Sequence, residues 1–370
     1  MENRTVLHVC LSKGWGGLEM YPIRTGAQFQ QRGWRVLGLC LSGTPVAKAM
    51  QEQGFEVLMF PSKAKAILAL GQISRWLKAQ QCSLIHCHKS GDLLIAALLD
   101  SLCSRRVVFT EHMGGSSSKR DLFHRWVYRH VDQLLSISEF TKAKNLKNLP
   151  IDPTKIARLW LGTAPPPAEL STGDVLRLRR ELGLPDTAPV IGTLGRIDPG
   201  KGQLQLLDAF KQLVEHGDEH SHLLIVGGLQ ADQGADLTTL GMLKDKIAEY
   251  GLAQRVHLPG FRKDIHNMLS VMDVVCLLSK EEAFGLTVIE AMMTGRVVLG
   301  ADSGAIPELL DNPALTVPFD NPDKIATTLE KLIADDDKPA LAAGLKTRAE
   351  KHFLLETHLA QLEKYYLNGE

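Results

Sequence analysis

Short apolar runs alternate with longer amphipathic stretches along the whole chain, and this alternation predicts strands and helices in turn. In the first half the strand-length runs fall at 6–11, 35–41, 56–60, 83–88, 107–110 and 134–138; in the second, at 189–194, 223–228, 256–261, 273–278 and 297–300. Between them, helical patterns occupy 18–32, 44–53, 67–81, 175–182, 240–250, 287–294, 322–334 and 339–355, with a further helix starting at Glu139 and a last one over 356–367. Strand, glycine-containing loop, then helix is the repeating unit of a doubly wound α/β domain. The segment Leu161-Gly-Thr-Ala-Pro-Pro-Pro167 is the best linker, because its prolines cannot extend a helix from either side. Two domains result, 1–165 and 168–355, with 356–370 left over at the end.

Composition supports a globular chain of two ordinary domains, since 44% of 370 residues are hydrophobic. Six cysteines (Cys10, Cys40, Cys82, Cys87, Cys103, Cys276) lie mainly in apolar runs and form no Cys-x-x-Cys pair, the pattern of reduced core thiols in a cytoplasmic protein. No segment reaches the ~18 apolar residues of a membrane span. The zero net charge conceals a division. Residues 1–165 hold 22 Lys+Arg against 11 Asp+Glu, and the remainder holds 20 against 31. A basic first half suits a phosphorylated acceptor or peripheral contact with an anionic membrane; equally, it suits mutual attraction of two lobes. Lys119, Arg120, Arg125, Arg129 and Lys142 to Lys147, interleaved with Phe123, Trp126 and Tyr128, concentrate that charge in a basic-aromatic patch. No nucleic-acid module accompanies it.

Candidate chemistry gathers at strand ends. After the first strand, Ser12-Lys-Gly-Trp-Gly-Gly17 opens a helix, but Glu19 stands where a dinucleotide fingerprint needs its third glycine. His86 and His88 share one face of their strand and Cys87 takes the other, so these neighbours do not form a metal site together. His112 directly follows a strand, where open α/β sheets bind ligands. In the second domain, Gly195-Arg-Ile-Asp-Pro-Gly-Lys-Gly202 narrowly misses the P-loop: Gly202 has no hydroxyl for Mg²⁺. Further on, Glu282 and Glu290 straddle Phe284-Gly285-Leu286 between a strand and a helix. Amides of Phe284, Gly285 and Leu286 at a helix N-terminus suit a phosphate, and the two carboxylates suit hydroxyl groups. A nucleotide-sugar satisfies both.

This segment resembles the Glu-x7-Glu signature of the family-four retaining glycosyltransferases, and Gly-Gly-x-Glu, the histidines and the Gly-Arg…Lys-Gly loop extend the resemblance over most of the chain. The resemblance implies a GT-B fold, two Rossmann-like domains facing a cleft, with the final helix crossing back to the first. It implies that Arg196 and Lys201 hold the donor diphosphate, that Gly17 approaches it, and that backbone groups of Phe261 and Arg262 read the base. Glu290 would hold the ribose hydroxyls and Glu282 those of the transferred sugar, with His112 lying against that sugar. Gly16, Glu19 and His88 would border the acceptor; Glu19 also reads as an ordinary first-turn helix carboxylate. Leu161 departs from the family's Asn-Gly at the linker. The implied activity is metal-independent, cofactor-free transfer of a hexose from a nucleotide diphosphate sugar, UDP before GDP, to a bacterial surface glycan or glycolipid such as lipopolysaccharide core or exopolysaccharide. A nucleotide-sugar epimerase and a non-catalytic binding module are the alternatives.

Overall fold

The computed structural model describes residues 4–367. The first three residues of the expected first domain and the last three of the 356–370 segment lie outside the described residues. The chain divides into two compact units, one running to Trp160 and resuming at Glu356, the other spanning Leu161–Leu355.

The first unit is a seven-stranded sheet: β1 (Thr5–Cys10), β2 (Arg35–Leu41), β3 (Glu56–Phe60), β4 (Leu84–Cys87), β5 (Arg106–Glu111), β6 (Gln133–Ser136) and β7 (Ile156–Arg158). Its order is β3-β2-β1-β4-β5-β6-β7, all parallel. The order reverses between β1 and β4, the place where doubly wound sheets leave room for a ligand. Strand alternation gives this sheet two unlike faces. Leu7, Val9, Leu37, Leu39, Ile85, Cys87 and Phe109 pack with the helices that carry Ile73, Leu77, Leu99 and Tyr128. On the other face, His8 sits in register with His86.

The chain's last helix, Leu355–Tyr366, belongs to this unit and buries Leu359 and Leu362. Each such leucine contributes about 2 kcal/mol. Its Glu363 accepts from Trp34 Nε1 at 2.8 Å and pairs with Arg32 at 3.2 Å, fixing the helix's rotation.

The second unit carries β8 (Val190–Leu194), β9 (His222–Val226), β10 (Val256–Gly260), β11 (Val274–Leu277), β12 (Val297–Ala301) and β13 (Thr316–Val317) in the order β10-β9-β8-β11-β12-β13, again parallel. The reversal falls between β8 and β11, and both candidate loops of this unit follow those two strands.

Two local expectations need correction, and two strands were not anticipated. The helix expected over 67–81 is two, Lys63–Leu68 and Leu70–Ala79, because the Ser62 hydroxyl starts the first one early and Ala69 leaves helical geometry between them. The edge strands β7 and β13, of three and two residues, are too short to register in the hydrophobic pattern. The basic-aromatic patch loses two of its aromatics: Tyr128 is fully buried and Trp126 is partly buried against the core. Phe123 and Leu122 remain exposed beside Arg120, Arg125 and Arg129.

Candidate active site

In the second unit, β8 runs into the loop 195–202. Asp198 accepts from Gly200 N at 3.0 Å and shapes a short 3₁₀ turn that lifts Lys201. Gly202 then takes a left-handed conformation (φ 77°), and a Cβ there would lie 2.2 Å from the Leu278 carbonyl oxygen, so the loop can close on β11 only with glycine. The loop after β11 is held as firmly. Lys280 N donates to Gly200 O at 2.9 Å, Glu281 N to Ser303 Oγ at 3.0 Å, and Ala305 N to Glu282 O at 2.8 Å. Gly304 packs so tightly that a Cβ would meet Glu282 O at 2.3 Å.

Gly285, at φ 103°, then caps the helix Leu286–Met293, and no side chain caps it. The amides of Gly285, Leu286 and Thr287 have no hydrogen-bond partner among the described residues, so the positive end of this helix stays open to an anion. Glu290 lies four residues beyond Leu286, about 6 Å along the axis and on the same face.

These elements enclose a cavity of about 210 Å³, whose lining includes Thr193, Arg196, Lys201, Glu282, Gly285 and Thr287. Arg196 is exposed and has no ion pair among the described residues. Lys201 Nζ lies 2.7 Å from Glu282 Oε2, so the two side chains read separately from sequence meet as an ion pair. Ser279 and Gln203 also line the cavity, and the buried Ser279 Oγ and Gln203 Oε1 lack partners among the described residues. Sequence reasoning missed both. The signal was a polar residue directly after a buried strand, and another at the first position of a helix. Phe284 is buried, whereas Phe261 is exposed just after β10. The Arg262 side chain is engaged bidentately by Asp264 (2.8 Å each) and by Glu181 (2.8 Å), which leaves its backbone as the group available to a ligand.

In the first unit, Gly16 caps the helix Gly17–Gln31 without side-chain help, and Gly17 is exposed. Glu19 turns inward: Ser12 Oγ donates to it at 2.7 Å and Lys89 Nζ lies 3.4 Å away. Burial works to raise this carboxyl, but the Ser12 hydroxyl, the backbone and Lys89 outweigh it and hold Glu19 below its ordinary pKa.

His88 and His112, only 1% and 5% exposed, stand with their rings 6.1 Å apart. His8 joins them, its Nδ1 2.9 Å from His88 Nε2. Burial depresses His8 and His112 to about 3 and His358 to about 4, and drives His86 and His88 well below the usual imidazole range. All five imidazoles are therefore neutral at pH 7.

Ring nitrogens of His8, His86 and His88 approach within 4.8 Å of one another, a grouping that sequence could not reveal because His8 lies in an otherwise apolar strand. Both nitrogens of His86 are already hydrogen-bonded, to Tyr366 and Thr110. A metal would have to displace one of them.

Residues 15–163 match the family model for Glycosyltransferase Family 4, and residues 174–352 match that for Glycosyl transferases group 1. The chain belongs to the family-four glycosyltransferases. This glycosyltransferase is 25% identical over 352 residues to the lipopolysaccharide core biosynthesis mannosyltransferase of Rhizobium meliloti, covering 91% of this chain and 95% of that one. It is 32% identical over 166 residues to the D-inositol 3-phosphate glycosyltransferase of Corynebacterium jeikeium, 44% of this chain and 39% of that protein. The match thus spans less than half the length of that curated relative. Its fold is that of an Anabaena protein solved in complex with UDP (TM-score 0.85, 21% identity, 98% of this chain and 100% of that one). Two Rossmann-like units, each built on a parallel sheet, are the GT-B class.

Proposed function

We propose that this glycosyltransferase moves a hexose, with retention, from a nucleotide diphosphate sugar to a hydroxyl of a bacterial surface glycan such as lipopolysaccharide core. The observation that carries the reading is one cavity bordered by two cations, a carboxylate and the open N-terminus of the Leu286–Met293 helix. Arg196 takes the diphosphate bidentately, and Lys201 leaves Glu282 to join it. As the bond from the anomeric carbon to phosphate oxygen breaks, negative charge grows on the leaving group, and these cations and amides stabilise it. The acceptor oxygen attacks from the same face and forms the new bond to that carbon, while its proton passes to the departing phosphate oxygen. Glu282, freed from Lys201, holds hydroxyls of the transferred sugar; Glu290 holds the ribose. The first unit holds the acceptor, with His112 against the transferred sugar. Arg196, Lys201 and the helix amides meet the diphosphate charge without a divalent metal, so EDTA leaves transfer unchanged.

UDP is the preferred nucleotide. It is what the similar Anabaena protein binds in its solved complex, and the mannosyltransferase relative supports a lipopolysaccharide-type acceptor. The test is thermal stability titrated with UDP, GDP and ADP, with and without EDTA, using Glu290→Ala as control. Ligand at 100 times its Kd stabilises by about 2.7 kcal/mol. A rise with UDP alone, absent in the variant, is expected; no rise with any nucleotide defeats the reading.

Peripheral membrane contact belongs to the same proposal. Exposed Leu122 and Phe123 beside Arg120, Arg125 and Arg129 suit an anionic bilayer surface. Among the described residues, no helix is long and apolar enough to cross a membrane. Co-sedimentation with phosphatidylglycerol vesicles, lost in Arg125→Glu/Arg129→Glu and absent with phosphatidylcholine, is the expected result.

A further inference from the structure

On the histidine face of the first unit's sheet, five side chains from four segments join end to end. Tyr366 Oη lies 2.6 Å from His86 Nδ1, and His86 Nε2 lies 2.8 Å from Thr110 Oγ1. The Thr110 hydroxyl also bonds the Tyr21 phenol, whose oxygen is 2.9 Å from His358 Nε2. His358 Nδ1 completes the series, 2.7 Å from the Trp160 carbonyl oxygen.

The direction of every proton in this series follows from its last member. A carbonyl only accepts, so His358 carries its proton on Nδ1. The buried ring is neutral, which leaves a lone pair on Nε2, and the Tyr21 O–H must donate to it. Tyr21 has then spent its only proton, so Thr110 donates to Tyr21, and His86 Nε2–H donates to Thr110. His86 Nδ1 is left as an acceptor, and the Tyr366 O–H fills it. No alternative arrangement satisfies all five contacts with neutral rings.

Two of the five members, His358 and Tyr366, come from the terminal helix; His358 meets Tyr21 directly, and Tyr366 reaches it through His86 and Thr110. The Tyr21 ring stands edge-on to His112 with centroids 4.9 Å apart and planes at 70°. An apolar core would fill this space equally well. What the polar series adds is a fixed place for Tyr21, because every member is satisfied and none can rotate without orphaning a buried group. By contrast, His8 Nε2, His88 Nδ1 and His112 Nε2 in the same layer have no partner among the described residues.

We propose that this one-way series is a positioning device, in which Tyr366 and His358 set Tyr21 and, through its ring, the orientation of His112. The proposal rests on the reading of His112 as the residue against the transferred sugar. Long-range ¹H–¹⁵N spectra of histidine-labelled protein test its first half without any substrate. The expected result is a proton on His86 Nε2 and on His358 Nδ1; a proton on His86 Nδ1 overturns the series whatever the protein catalyses.

The second half is tested by Tyr366→Phe, which removes one hydroxyl and keeps the ring. His112 resonances should shift and kcat should fall on the order of tenfold, with UDP affinity and donor KM unchanged. His358→Gln, which keeps an acceptor for Tyr21, should retain most of the rate that His358→Phe loses. Thr110→Val cuts the same series at its middle and serves should Tyr366→Phe fail to fold. Unchanged His112 resonances together with unchanged kcat in these variants overturn the positioning role.

Discussion

Lys201 Nζ and Glu282 Oε2, from loops 81 residues apart in sequence, lie 2.7 Å from each other at the mouth of the second unit's cavity. Each is the other's placeholder. An incoming diphosphate competes with Glu282 for the ammonium, and a sugar hydroxyl competes with Lys201 for the carboxylate.

Glu282→Gln removes the competitor and leaves a neutral group of the same shape. UDP alone should therefore bind slightly more tightly, while transfer slows. The pair is partly exposed (32% and 19%), so its strength is about 1 kcal/mol at most, or about fivefold in Kd. Calorimetric titration with UDP checks the sign. Weakened binding would mean that Glu282 itself touches the nucleotide.

Glu290→Ala should act in the opposite sense. If its carboxylate accepts from two ribose hydroxyls, losing it costs about 3 kcal/mol and raises the UDP Kd by about two orders of magnitude. An unchanged Kd removes Glu290 from the ribose.

Gly304→Ala tests the wall behind Glu282. The residue sits at φ 64° and its new Cβ would press on Glu282 O at 2.3 Å, a backbone atom that cannot move without dragging the loop. A loss of about 2 kcal/mol or more is expected, together with weaker UDP binding. Gly217→Ala serves as a control for backbone strain, because it too has positive φ (105°) but nothing within 4 Å. It should lower the melting temperature without changing UDP affinity.

Acid should unfold the first unit before the second. His8 and His112 are depressed to about 3 by burial and regain 6.5 when unfolded, so the unfolded chain binds more protons at every pH between those values. Their contribution is intact above pH 6.5 and is lost as pH falls toward 3. At pH 5 each of the two costs about 2 kcal/mol. Urea titrations from pH 7.5 to 4.5, followed by hydrogen exchange in β1 and β4, would show it. Equal protection of both units at pH 5 would contradict the neutral histidine layer.

Most of the architecture was legible because buried parallel strands are unbroken apolar runs, and β2 and β3 fall where the pattern places them. The edge strands β7 and β13 were not, since three and two residues carry no period. The loop residues Arg196, Lys201, Glu282 and Glu290 could be read from glycine spacing and strand ends, and the structure brings the first three to one cavity. Contacts made across the fold were hidden. Nothing near Lys201 in sequence announces Glu282, and His8, flanked by Leu7 and Val9, looks like one more core position until β1 pairs with β4.

The terminal helix has a consequence for how the chain is made. Tyr366, His358 and Glu363 complete a unit whose first strand leaves the ribosome some 350 residues earlier. The second unit, contiguous from Leu161 to Leu355, is entirely synthesised before that last segment emerges. During translation the basic first unit therefore waits unfinished, with its histidine face uncovered, while the acidic second unit folds. Stalled nascent chains released just before residue 355 should hold a protease-resistant second unit and a first unit open to cleavage.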